Sequence, residues 1–121
     1  MGVERIDYVY LETYNWGKAV KFWQQLGFRL ALDLGRSGRL EPEDGGPGIF
    51  LEEVPAGRPL AIQVYLRVGD EMKPESPVEV TSTWHDSHWG TRLMEVRDPD
   101  HRTFVLQSYD GRSQVKVGRI P

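Results

Sequence analysis

Cysteine is absent from the 121-residue chain, which excludes disulfide scaffolds, thiolate metal sites and cysteine nucleophiles together and leaves no sign of redox compartment. Long hydrophobic runs are absent too, and the longest stretches without charge are far too short to span a bilayer. The opening residues, MGVERIDY, carry Glu4 and Asp7 and no apolar segment, so they do not read as a secretory signal. A cytoplasmic protein with no membrane partner is the expectation. An excess of positive charge is also missing: 15 Lys and Arg against 18 Asp and Glu leave a net charge of −3. The basic residues are scattered, so a nucleic-acid partner, which needs clustered cations to meet phosphates, is not expected. There is no Gly-x-Ser-x-Gly elbow, and Gly45-Gly46-Pro47-Gly48 lacks the Lys and the strand-to-helix setting of a phosphate loop.

What the chain does have is aromatic residues: four Trp, five Tyr and four Phe. Rings at that density stack on flat ligands as well as fill cores. Their placement follows from periodicity. Arg5 to Glu12 alternates Ile6, Tyr8, Tyr10 and Glu12 with Asp7, Val9 and Leu11, a strand. Asn15 caps a helix whose apolar positions are Ala19, Val20, Trp23 and Leu26, and Gly27 stops it. Strands follow at Phe28–Leu34, at Arg39–Glu41 and at Ile49–Val54, before a break at Pro55-Ala56-Gly57.

A second series begins with Leu60–Val68. Residues 69 to 77, with two prolines, leave room for at most one helical turn. Strands are then predicted at Val78–Trp84, Thr91–Val96 and Thr103–Ser108, with turns at residues 85 to 90 and at Asp98–Arg102, and the tail after Asp110 shows no periodicity. The order is a tandem repeat of one βαβββ pattern, an α+β chain with mostly antiparallel sheets and helices outside, the second helix abbreviated. Two such sheets rolled together leave a cup-shaped trough. The expected organisation is one domain over residues 1 to 121, with modules of about 1–56 and 57–110 and a tail of 111–121.

Three segments carry a resemblance. AVKFWQQLGFRL (residues 19 to 30), HWGTRLMEVRDPDHRTFVLQ (88 to 107) and the strand pair IDYVYLE and LAIQVYLRV resemble the glyoxalase/bleomycin-resistance/extradiol-dioxygenase superfamily, the vicinal oxygen chelate fold, and are most similar to its bleomycin-resistance-like branch. The resemblance implies paired βαβββ modules, a cup-shaped ligand site and commonly a homodimer. In catalytic members, His, Gln and Glu side chains in the trough hold a divalent metal. By motif those positions fall here on Tyr8, Gln63 and Phe104, because Asp98–Arg102 reads as one residue shorter than the family's turn; without that gap the last position is Val105. Only Gln63 has a ligating side chain, so no metal and no cofactor is expected. His85 and His88, in a predicted turn, read as solvent-exposed.

Under the same mapping the trough is lined by Tyr8, Tyr10, Glu12, Phe50, Glu52, Gln63, Tyr65, Arg67, Glu95 and Phe104, with Trp84 and Trp89 at its mouth and Trp23 in the helix–sheet core. That lining suits a planar or cationic, antibiotic-like small molecule held by stacking and by carboxylates. The resulting expectation is a metal-free binding protein that sequesters its ligand without turnover, assembled as a homodimer. The alternative is a metal-dependent lyase, isomerase or dioxygenase with displaced ligands such as Gln63, Glu52, Glu95 or His85, and a third is a domain used chiefly for protein contact. The second sheet's outer face, Ile62, Val64, Leu66 and Val68, is expected to lie open unless the tail or a partner subunit covers it.

Overall fold

The computed structural model describes residues 2–69 and 71–109; the expectation for the tail lies outside the described residues. The Lys18 amide donates to Asn15 Oδ1 at 3.0 Å, and α1 (Trp16–Gln25) starts directly after that cap. Gly27, at φ +103°, ends it in the left-handed conformation that glycine takes without cost. Among the described residues no helix is long and apolar enough to cross a membrane. The chain divides into two units, Tyr8–Gln63 and the residues before Tyr8 joined with Val64 onward.

In the first unit, β1 (Val3–Thr13) contributes its second half, and β2 (Arg29–Asp33), β3 (Ser37–Glu41) and β4 (Gly48–Glu53) complete the order β2-β3-β4-β1. β1 runs parallel to β4, while β2, β3 and β4 pair antiparallel. A parallel pair needs a crossover, and α1 with β2 and β3 supplies it. The helix buries Val20 against Leu40, Ile49 and Leu51, with Trp16, Trp23 and Phe28 packed around them. Each fully buried leucine contributes roughly 2 kcal/mol. A Cβ on Gly38 would stand 2.1 Å from the Leu32 carbonyl oxygen, so only glycine permits the irregular register of β2 on β3.

The second unit repeats the pattern: β5 (Ile62–Val68), β6 (Glu79–Asp86), β7 (Arg92–Arg97) and β8 (Thr103–Ser108) stand in the order β5-β8-β7-β6, with β5 parallel to β8. The abbreviation of the second helix is complete among the described residues, where none lies between β5 and β6. Met72 from that connection packs with Trp84, Leu66 and Val96 on buried Val68, Met94 and Leu106. Of the face expected to lie open, Leu66 and Val68 are covered by this chain itself, while Ile62 stays 71% exposed. Further along, Val78 and Val80 stay exposed, and a groove of about 550 Å3 opens beside Val78, Val96, Pro99 and Phe104.

The turn between β7 and β8 spans Asp98–Arg102, with Arg97 facing Thr103 across the ladder. Asp98 organises it: Oδ1 accepts from the amides of Asp100 (2.9 Å) and Arg102 (2.8 Å), and Oδ2 from Arg102 Nε at 2.9 Å. The Arg102 amide, ahead of its guanidinium, holds the Asp98 carboxyl below the usual range. His101 occupies the left-handed position at φ +70°. A residue with a Cβ costs about 1 kcal/mol there, so His101→Gly is expected to raise the melting temperature by about 4 °C. An unchanged or lower melting temperature would show that His101 is not strained.

Candidate functional site

Cross-strand register decides which side chains share a face. In the parallel pair β1–β4, Tyr8 faces Gly48, Tyr10 faces Phe50 and Glu12 faces Glu52, all on the side away from α1, as period-2 alternation predicts. Two carboxylates directly opposed repel one another. Here Tyr10 Oη stands between them, 2.8 Å from Glu12 Oε2 and 2.7 Å from Glu52 Oε1. Burial first, then the hydrogen bonds to Glu52 and Glu12, push the Tyr10 phenol far above its ordinary value, so it stays protonated and acts as a donor. A phenol has one hydrogen, and two acceptors compete for it.

Glu12 is the compensated member of the pair. Its side chain is 5% exposed; Arg58 Nη2 donates to Oε2 at 2.5 Å, and the Ala61 amide donates to Oε1 at 3.0 Å. The Arg58 guanidinium, ahead of burial, which acts the other way, holds the Glu12 carboxyl below its usual range. Arg58 was not foreseen as a site residue. It lies in the break after β4, its carbonyl oxygen accepting from the Tyr14 hydroxyl, and no local pattern marks a partner 46 positions away. Glu52 makes no ion pair among the described residues, so the cluster holds two carboxylates against one guanidinium. Tyr8 and Phe50, at 4% and 8% exposure, are covered by protein, which withdraws two of the expected lining rings; Tyr10, stacked on Phe50 at 6.4 Å and 13°, is the more accessible.

The second unit presents another polar face. Tyr65 and Glu95 both register with Val105, and Arg67 and Leu93 both register with Gln107. Phe104 registers with Val64 and Val96, on the opposite face beside the groove, so it does not join Tyr65, Arg67 and Glu95 as expected. The turn Asp98–Arg102, which brings Arg97 opposite Thr103, sets the alternation of β8 one residue away from the gapped reading. Trp84 is also displaced from the expected mouth. Register shifts in β6 between Val80 and His85 accompany a ring turned onto the Val68–Met94–Leu106 cluster, with Nε1 donating to the Met72 carbonyl at 2.9 Å.

Trp89 stays on the polar face. Its Nε1 donates to Gln107 Oε1 at 2.8 Å, Thr91 Oγ1 donates to the same oxygen at 2.7 Å, and Gln107 Nε2 donates to Asp7 Oδ2 at 2.9 Å. Tyr109 Oη donates to that Asp7 oxygen at 2.6 Å, and Arg67 lies over the Tyr109 ring at 4.1 Å. Glu95 accepts from Thr81 Oγ1 at 2.7 Å. Gln107, Thr91, Asp7 and Tyr109 were not foreseen, because a buried glutamine amide has no signature in a period-2 strand.

Residue identity argues against the metal triad that the resemblance would supply. The first position is Tyr8, the second is half-buried Gln63, and the last, by the observed register, is Val105. These residues do not fit a divalent centre. His85 lies in β6 rather than in a turn, and its Nδ1–H donates to the Thr83 carbonyl at 2.8 Å, while exposed His88 stands edge-on to Trp89 at 4.8 Å. Among the described residues no three His, Asp or Glu side chains are grouped to hold a metal ion.

No family model matches the sequence, and no curated protein matches it. Solved structures do. A glyoxalase/bleomycin resistance protein/dioxygenase superfamily member from Vibrio splendidus 12B01 aligns with a TM-score of 0.64 at 15% identity, over 84% of this chain and 96% of that one. A protein named as NAD-dependent benzaldehyde dehydrogenase from Legionella pneumophila aligns at 0.61 and 13% identity over the same shares, 84% and 96%. The Mn(II)-bound glyoxalase from Novosphingobium aromaticivorans aligns at 0.61 and 14% identity, over 88% of this chain and 39% of that one. The fold is the vicinal oxygen chelate fold of the glyoxalase/bleomycin-resistance/dioxygenase proteins.

Proposed function

We propose that this chain of vicinal oxygen chelate fold is a cytoplasmic, metal-free binding protein that sequesters a planar, cationic, antibiotic-like small molecule without turning it over. One observation carries the reading: Glu12 and Glu52 converge on a single phenol hydrogen, with one guanidinium for two carboxylates. A site of that charge is completed by a cation, and Tyr10 offers it an accessible ring. The protein works as a homodimer in this reading, since the open groove at Val78, Val96 and Phe104 is apolar surface for a second copy to cover.

Calorimetric titration with planar cationic antibiotics and with ethidium, at low and at high salt, tests the proposal. Saturable binding that weakens with salt is expected, and Glu52→Gln is expected to lower affinity about tenfold. Sedimentation at micromolar concentration is expected to give twice the chain mass. Absence of binding across the set would sink the sequestration reading, as would stoichiometric Ni, Zn, Mn or Fe in protein purified without chelators; a stable monomer would sink the assembly alone.

A further inference from the structure

Among the described residues, the arginines that are not exposed pair with carboxylates, with one exception. Arg39 pairs with Glu41, Arg92 with Glu71 and Asp86, and Arg97 with Glu79. Arg67, half-buried in β5, makes no ion pair among the described residues. Among the described residues its guanidinium carbon lies over the face of the Tyr109 ring, 4.1 Å from the centroid. That ring is pinned in turn, because its hydroxyl donates to Asp7 at 2.6 Å and Asp7 accepts from buried Gln107. A guanidinium stacked by one face is held in orientation while the N–H groups along its edge keep their donors. No buried side-chain nitrogen lacks a partner among the described residues, so the unused donors of half-buried Arg67 are not sealed from solvent.

We propose that Arg67 anchors an oxyanion site on this face of the second unit, taking a small molecule that bears a carboxylate or a phosphate beside a flat ring. The chemistry follows from the parts. A partly desolvated cation without a counter-charge gains most from an anion, and the planar fork matches two oxygens of a carboxylate or phosphate. Trp89, tied through its indole N–H to Gln107, whose backbone registers with Arg67, supplies an aromatic neighbour on the same face. The sequence places Arg67 among the residues expected to line the trough but does not mark it as an anion anchor. The inference stands apart from the cation reading of Glu12 and Glu52, so failure of ethidium to bind leaves it intact.

Nuclear magnetic resonance of the full chain tests it, following the Arg67 Nε–H and the Trp89 indole N–H during titration with benzoate, phenyl phosphate and the neutral analogue benzamide. Saturable shifts at both groups are expected with at least one of the two anions, and the tighter one identifies the oxyanion class. Benzamide is expected to leave them in place. Arg67→Gln is expected to weaken anion binding by about tenfold or more, Arg67→Lys by less, because charge survives while fork and stack are lost. Arg36→Gln, an exposed control, is expected to change nothing. If Arg67→Gln fails to fold, folded Arg67→Lys decides: reduced affinity supports the site and unchanged affinity overturns it. No saturation by either anion at millimolar concentration, or equal binding of benzamide, overturns it as well.

Discussion

Gln107→Leu is expected to lower the unfolding free energy by about 4 kcal/mol. Gln107 is 0% exposed, and its amide orientation is settled by its neighbours. An indole N–H only donates and a carboxylate only accepts, so Oε1 faces Trp89 and Thr91 while Nε2 faces Asp7. Leucine has similar volume and no polar atoms. It would leave the Trp89 indole N–H without its acceptor and the Asp7 carboxylate without a donor, each at about 1–3 kcal/mol, while the Thr91 hydroxyl keeps Ser87 Oγ. Extra apolar burial offsets only part of that loss. Thr91 adds to the coupling, since its hydroxyl also bonds Ser87 Oγ at 2.9 Å and the Thr91 amide donates to that same oxygen. Urea unfolding of both proteins measures the difference. A loss below about 1 kcal/mol would mean that water replaces these bonds and that the network is not structural.

Glu12→Ala is expected to cost about 3 kcal/mol, since it removes three hydrogen bonds from one nearly buried carboxylate. The cost stays below that of breaking a fully buried pair because Arg58, more than half exposed, returns to water. Tyr10 then donates to Glu52 alone, which removes the electrostatic competition, so ligand affinity for planar cations is expected to fall together with stability. Acid sensitivity checks the assignment independently. Arg58 holds the Glu12 carboxyl below its ordinary value of 4.5, so the stabilisation it provides is complete above pH 4.5 and is lost as pH falls through the lowered folded value. The gap between wild type and variant should therefore be constant near neutrality and close on acidification below pH 4.5. A gap that stays open in strong acid would contradict an ionised Glu12.

The first unit's candidate residues were legible in the sequence because one uninterrupted rhythm carries them. Tyr8, Tyr10 and Glu12 are spaced by two along a regular strand, and the facing strand repeats the spacing at Phe50 and Glu52. Trp23 was legible for the same kind of reason, lying on the helix-period stripe that packs with Val20. Where the rhythm is interrupted, parity fails. Irregular pairing in β6 goes with Trp84 in a core, and a histidine in a left-handed turn keeps β8 in step so that Val105, not Phe104, sits beside Tyr65 and Glu95.

Residue order alone determined the α1 cap and stop, the strand periods and the doubled series of four strands, because those depend on forces acting across a few neighbouring residues. Only the tertiary structure decided which charges meet. Arg58 neutralises Glu12 from 46 positions away, Gln107 reaches Asp7 across 100, and Arg67 is left with a tyrosine ring. Such pairings are made by the closing of long loops, whose energetic return appears only when distant strands are already in register, and no local pattern records them. The cysteine-free, mildly acidic composition excluded whole classes of chemistry, while the uneven placement of its carboxylates and arginines, set by the fold, is what marks the candidate sites.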